Sequence, residues 1–342
     1  MIPIKRRQNA PFGAICANMP MVFARSLSSA LLLVGLLGAS AALAQTQPKG
    51  AHAPKAGPET TPTGAVRLLA SLAAADTQGV KAGIVWRVFD EQLESDGTHI
   101  LVAESHEAAP TISLPDGTYI VHAAFGLAAA TRRVVVDGRT VSERVTLNAG
   151  GLKLVDKLGE ATIPPQRVSI SIYVPERGNS EAKLVLANAR GGDTICLPEG
   201  AYHIVSTLLD TSQGSQGDNN ATNSVVTADL RVPAGKLIEA TLRHRAATIT
   251  LKLVNAAGGE ALANTSFSVL TPGGDVIREL IGAFPSLMLA EGEYVAIARH
   301  DGKTYQNVFK VQSTKDADVE ILAKGTPQSD APPTDAPPIV SE

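Results

Sequence analysis

A chain of 342 residues is long enough for two or three hydrophobic cores, since one core usually serves about 100 to 200 residues. Apolar residues make up 44% of the chain but aromatics only 4%, so Val, Ile, Leu and Ala must fill the interior. A formal charge of −3 with no concentrated basic face excludes a nucleic-acid partner on electrostatic grounds.

Residues 27–44 read LSSALLLVGLLGASAALA, preceded by Lys5, Arg6, Arg7 and Arg25 and ending in Ala42-Leu43-Ala44. A basic stretch, an apolar run and a small-residue A-x-A end describe a signal peptide, residues 1–44, cleaved after Ala44. The uninterrupted apolar run is shorter than a spanning helix needs, so no transmembrane segment is expected after cleavage. The basic region is long, and Met19 or Met21 offers a start that leaves a conventional short one. Arg6-Arg7 lacks the apolar residues that follow a twin-arginine pair, which favours ordinary export to the periplasm or the exterior. Cys16 leaves with this leader, and Cys196, set in the apolar run Thr194-Ile195-Cys196-Leu197, reads as a lone buried small hydrophobe. Residues 45–63, rich in Pro, Gly, Thr and Ala, read as a disordered linker, and residues 325–342 as a disordered Pro-rich tail.

Between the tails one pattern occurs three times. In the first unit, opening strand 66–70 (VRLLA) is followed by 84–89 (IVWRVF), by the strand-turn-strand 112–119 (ISLPDGTY), and by strands at 132–136 and 141–147. In the second, 152–155 (LKLV) and 168–174 (VSISIYV) precede 195–202 (ICLPEGAY); in the third, 249–254 (ITLKLV) and 267–270 (FSVL) precede 287–294 (LMLAEGEY). Apolar and polar residues alternate as in strands with one buried face. Gly117, Gly200 and Gly292 are expected to supply positive φ at the turn. Tyr119, Tyr202 and Tyr294 are expected to cover the core edge with the ring while the hydroxyl reaches backbone or water. The pattern predicts an all-β chain of three tandem Ig-like or prealbumin-like β-sandwiches at 64–149, 150–246 and 247–324. No flexible linker separates them, as Asn148-Ala149-Gly150-Gly151 runs straight into the next opening strand, so a short rod of about 100 Å is expected.

The third unit resembles the carboxypeptidase regulatory-like, or transthyretin-like, module through residues 248–259, 261–269 and 289–295. The first unit is similar in its later half, through Leu114-Pro115-Asp116-Gly117-Thr118-Tyr119, and the second contains Pro198-Glu199-Gly200-Ala201, as the related PEGA modules do. Ala290 stands where that pattern has Pro. The resemblance implies a seven-stranded sandwich acting as a spacer or binding unit of surface and envelope proteins, without catalytic residues.

A search for chemistry agrees with that implication. His52, His99, His106, His122, His203, His244 and His300 form no ligand pairs and read as solvent-facing strand residues. No HExxH, CxxC, phosphate-cradling loop or nucleophile elbow occurs, and Asp90, Glu91, Asp116 and Glu199 fall at turns where solvation explains them. No catalytic, cofactor or metal residues are therefore assigned. The segment 210–223 is read as a mobile, solvated loop whose Asp210, Asp218, Asn219 and Asn220 are available to a partner but are not spaced as a calcium loop. Trp86 shares a strand face with Ile84 and Val88 and reads as core. The expected function is a non-catalytic exported scaffold or protein-binding protein whose partner is an envelope or extracellular protein. A glycan- or small-ligand-binding module would instead expose the rings of Tyr173, Tyr305 or Trp86, and an envelope enzyme or inhibitor would gather titratable groups in one cleft.

Overall fold

The computed structural model describes residues 4–5, 64–175, 182–210 and 221–323. The apolar leader 27–44, the linker 45–63, the tail 325–342, and Asp218, Asn219 and Asn220 lie outside the described residues. The described chain is strand almost throughout, and none of its helices is long and apolar enough to cross a membrane.

The strands are β1 (Ile4–Lys5), β2 (Gly64–Ser71), β3 (Ile84–Leu93), β4 (His99–Ser105), β5 (Thr111–Leu114), β6 (Gly117–Phe125), β7 (Ala128–Val136) and β8 (Thr140–Thr146). Next come β9 (Ala149–Leu158), β10 (Ala161–Thr162), β11 (Val168–Val174), β12 (Lys183–Ala189), β13 (Thr194–Pro198), β14 (Gly200–Leu209), β15 (Ala221–Val232) and β16 (Leu237–His244). The last are β17 (Ala246–Val254), β18 (Ser266–Leu270), β19 (Val276–Ile281), β20 (Ser286–Ala290), β21 (Gly292–His300), β22 (Lys303–Val311) and β23 (Ala317–Leu322).

One topology is used three times, giving three tandem β-sandwiches. The four-stranded sheets run β4-β3-β6-β7, β12-β11-β14-β15 and β19-β18-β21-β22. Opposite them the opening strand is always central, giving β5-β2-β8, β13-β9-β16 and β20-β17-β23, with β1 and β10 added at the margins of the second. The opening strand pairs antiparallel with the strand before the Gly-x-Tyr turn and parallel with the last strand, as in Val66↔Ile112 and Val66↔Val141. A parallel neighbour needs a long crossover. The intervening strands of the opposite sheet provide it.

Period-two alternation sets the cores. In β6 the inward positions are Tyr119, Val121, Ala123 and Phe125, and each is buried. Trp86 is 0% exposed among them, as its strand face predicts, and its Nε1–H donates to the Glu107 carbonyl at 3.1 Å. The second and third cores draw on both sheets, through Leu152, Leu154, Ile170 and Ile204, and through Ile249, Leu251, Phe267 and Val269. Each such side chain contributes about 1.5–3 kcal/mol by leaving water.

Of the described residues, 64–148 form one compact unit, and 4–5 with 149–323 form another. The second and third sandwiches share the latter because they share apolar contacts: Ala246 and Met288, from β17 and β20, belong to the core of the sandwich before them. Entry into this unit is tight at Gly150, where an added Cβ would sit 2.3 Å from the Pro233 carbonyl oxygen and 2.7 Å from a Val232 methyl. Because the nearest obstacle is backbone, Gly150→Ala is expected to destabilise the unit by about 1–3 kcal/mol, read from its thermal midpoint. Cys196 is buried as expected but is disulfide-bonded, which corrects the reading of a lone thiol.

Candidate functional site

The three hairpin tyrosines share one geometry. Each hydroxyl donates to the backbone carbonyl four residues upstream: Tyr119 to Pro115 at 3.0 Å, Tyr202 to Pro198 at 2.8 Å and Tyr294 to Ala290 at 2.8 Å. Only the carbonyl is used, so Ala290 replaces proline without loss of the bond. Gly117, Gly200 and Gly292 do not adopt the positive φ expected of them. The tyrosine ring two residues on lies over each of them, in ordinary contact at 3.4 to 3.7 Å from where a Cβ would stand. Burial pushes all three hydroxyls above the ordinary tyrosine range, and Asp90 and Asp116 add to this at Tyr119, so each remains a donor at neutral pH.

The third hairpin has a second role, absent from the first two. Tyr294 accepts a hydrogen bond from Asn223 Nδ2 at 2.8 Å, and Asn223 Oδ1 accepts from the Ala290 N–H at 2.8 Å. Nearby, Asp210 is 2% exposed and its Oδ2 accepts from the Met288 N–H at 3.0 Å. Asp210 is therefore not a solvated partner ligand, as the polar composition of 210–223 suggested. It ends β14 against the next sandwich, where a buried peptide N–H requires an acceptor. Tyr119→Phe and Tyr202→Phe are expected to cost about 0.5–1.5 kcal/mol each, and Tyr294→Phe more, because Asn223 also loses its acceptor. Equal losses at all three positions in denaturant titrations would contradict the docking role of Tyr294.

A polar network crosses the core of the second sandwich. His244 ends β16 at an inward position and is 1% exposed, so it is not the solvent-facing residue expected. Ser206 on β14 donates to Asp156 Oδ1 at 2.6 Å and lies 3.1 Å from His244 Nε2. With its proton committed to the carboxylate, Ser206 accepts from the Nε2–H. Nδ1 faces Ser224 Oγ on β15 at 3.1 Å, and Asp156 Oδ1 on β9 is 3.5 Å from Nε2. The set ties both sheets together. Asp156 Oδ2 is buried without a hydrogen-bond partner and faces Gly191, whose missing side chain leaves it room.

Ser224, His244 and Asp156 are the residue types of an acyl-transfer relay, but such a relay needs a reachable nucleophile and N–H donors for an oxyanion. Here the Ser224 N–H is bound to Thr222 Oγ1 at 3.0 Å, and all three side chains lie within the core. An open depression of about 560 Å³ borders Ser224, Arg243, Arg245 and Glu291. Its arginines already have partners: Arg245 makes two 2.8 Å bonds to Glu291, whose carboxyl it holds below the usual range, and Arg243 meets Glu160 at 3.1 Å. Among the described residues no group of three or more His, Cys, Asp or Glu side chains is placed to hold a metal. Tyr173 and Tyr305 are partly buried, and Trp86 offers no exposed ring for a sugar.

Asp156, Ser206 and Ser224 are unremarkable alone in the sequence, and His244 reads there as solvent-facing. Their signal is parity: Asp156 follows Leu152 and Leu154, Ser206 follows Tyr202 and Ile204, and His244 follows Ala240 and Leu242, all at inward spacing.

Residues 248–323 match the Rhizobiales growth-associated tandem repeat domain, a different family from those the sequence resembles. No curated protein matches the chain. Among solved structures, the chain is 12% identical to a Streptococcal ancillary pilin over 75% of this chain and 98% of that one, with a TM-score of 0.29. BcpA, the major pilin subunit of Bacillus cereus, is 13% identical over 76% and 99%, with a TM-score of 0.20. The Bacillus anthracis TIE protein is 17% identical over 76% of this chain, which spans 50% of that protein, with a TM-score of 0.23.

Proposed function

We propose that this chain is a non-catalytic scaffold or protein-binding protein, exported to the cell envelope, with modules at 64–149, 150–246 and 247–324. The observation that carries the reading is the use made of the repeated residues. The Gly-x-Tyr hairpins fasten backbone to ring in every sandwich, and the third also docks on its neighbour through Asn223. Repetition here serves architecture. The match to a tandem repeat domain supports the third module as a repeat unit.

Export is tested by fractionating cells and sequencing the N-terminus of the recovered protein. Gln45 is the expected first residue, in a periplasmic or secreted fraction; a cytosolic chain retaining the leader would refute export. Non-catalysis is tested with a fluorophosphonate probe on the native protein, where Ser224 is expected to stay unmodified. Stoichiometric labelling at Ser224, lost in His244→Ala, would replace this reading with an enzymatic one.

A further inference from the structure

The four-stranded sheet of the first sandwich ends in β4, which has no neighbour on its outer side among the described residues. Such an edge presents unpaired N–H and C=O groups, and proteins usually protect it with Lys, Pro or inward charge. β4 reads HILVAES and carries no Lys, Arg or Pro. Three consecutive apolar residues stand in water: Ile100 at 49%, Leu101 at 48% and Val102 at 41% exposure, joined by Leu93 at the facing end of β3 at 61%. Consecutive residues point to opposite sheet faces, so β4 is bare on both. The corresponding edges also expose apolar side chains, Leu184 on β12 and Val276 and Ile281 on β19, but they carry Lys183 and Arg278, whereas β4 carries a carboxylate, Glu104, and no Lys or Arg.

The charges around β4 select among occupants. Glu104 is held by Arg87 at 2.8 Å, and Glu91 by Arg133. The two ends of the strand differ from its middle. Glu94 and Asp96 lie in the turn before β4 and Glu107 just after it; all three are exposed, and no basic side chain among the described residues pairs with them. A second copy pairing antiparallel through β4 would set the Glu94 and Asp96 end of one strand against the Glu107 end of the other, acid against acid. A strand with basic flanks meets acid at both ends.

We infer that β4 is a strand-addition site for an extended apolar segment of another envelope protein, flanked on both sides by Lys or Arg. This deepens the protein-binding reading by naming the surface and the partner's chemistry. Main-chain hydrogen bonds supply the attachment, Ile100, Leu101 and Val102 cover the incoming side chains, and Glu94, Asp96 and Glu107 select the flanks.

The test is hydrogen exchange on the full chain with the peptide Lys-Lys-Val-Thr-Val-Thr-Val-Lys-Lys, the same peptide with Glu in place of Lys, and one with Pro at its centre. The basic-flanked peptide is expected to slow exchange across His99–Ser105 by about tenfold, while the other two leave it unchanged. Val102→Lys is expected to abolish the slowing at an unaltered thermal midpoint, since the side chain is exposed. Slowing that is absent, equal with Glu flanks, or retained in Val102→Lys would overturn the inference. So would protection of β4 that rises with protein concentration in the absence of peptide, which identifies a second copy as the occupant. Cross-linking in envelope extracts separates the two readings. Equal recovery of partners by wild type and Val102→Lys would overturn the edge and leave protein binding standing. Recovery by neither, with the peptide effect intact, would overturn protein binding and leave the edge.

Discussion

Asp156→Ala is expected to destabilise the second sandwich by about 3–5 kcal/mol, the largest single effect in this molecule, because it strips the buried Ser206 of its acceptor and removes the carboxylate beside His244. The carboxylate is 2% exposed, and Ser206 and His244 are buried with it. His244→Ala is expected to cost a similar amount, since it leaves the carboxylate buried with Ser206 alone. The loss should be specific to one unit. Trp86 is the only tryptophan and lies in the unit of residues 64–148, so its fluorescence transition should stay in place while the far-UV circular dichroism transition moves to lower denaturant. Replacing both polar groups with apolar ones, Asp156→Leu with His244→Leu, should recover much of the loss, as buried polar pairs exchanged for packed hydrocarbon commonly do. A single-variant loss below about 1 kcal/mol would mean that the network does not brace the sheets.

The double variant Asp210→Ala, Asn223→Ala is expected to cost about 2–4 kcal/mol and to split the melting of residues 149–323 into two transitions. Asp210 accepts from a buried peptide N–H, a charge-assisted bond, and Asn223 joins the Ala290 N–H to the Tyr294 hydroxyl. Without them the second and third sandwiches keep the apolar contact of Met288, the Arg245–Glu291 pair and the Arg278 bond to the Ala221 carbonyl, but lose the bonds from Asp210 and Asn223 to the β20 backbone. Calorimetry reads the outcome: one transition in the wild type and two in the variant. One unbroken transition in both would show that the remaining contacts are enough to couple the sandwiches.

Fold class, the repeat and the hairpin tyrosines were legible because they are written in local terms. Alternation of apolar residues marks strands wherever one face is buried, and a turn followed by Gly-x-Tyr is a contiguous signature. The reason for the glycines was misread. A turn suggested positive φ, which none of Gly117, Gly200 and Gly292 adopts. Asp210 was misread in a similar way: its polar neighbours indicated solvent, but the strand it ends runs into the next sandwich.

By itself, then, the order of residues determined that this chain makes strands, that it makes three sandwiches of one pattern, and that Trp86, Tyr119, Tyr202 and Tyr294 face inward. These follow from period two and from bonds spanning four residues. The meeting of Asp156, Ser206, Ser224 and His244, the capture of Tyr294 by Asn223, and the bare outer side of β4 were decided by the tertiary structure. Each depends on which strands become neighbours and which remain at an edge, and pairing between residues 20 to 88 positions apart is a property of the assembled sheets.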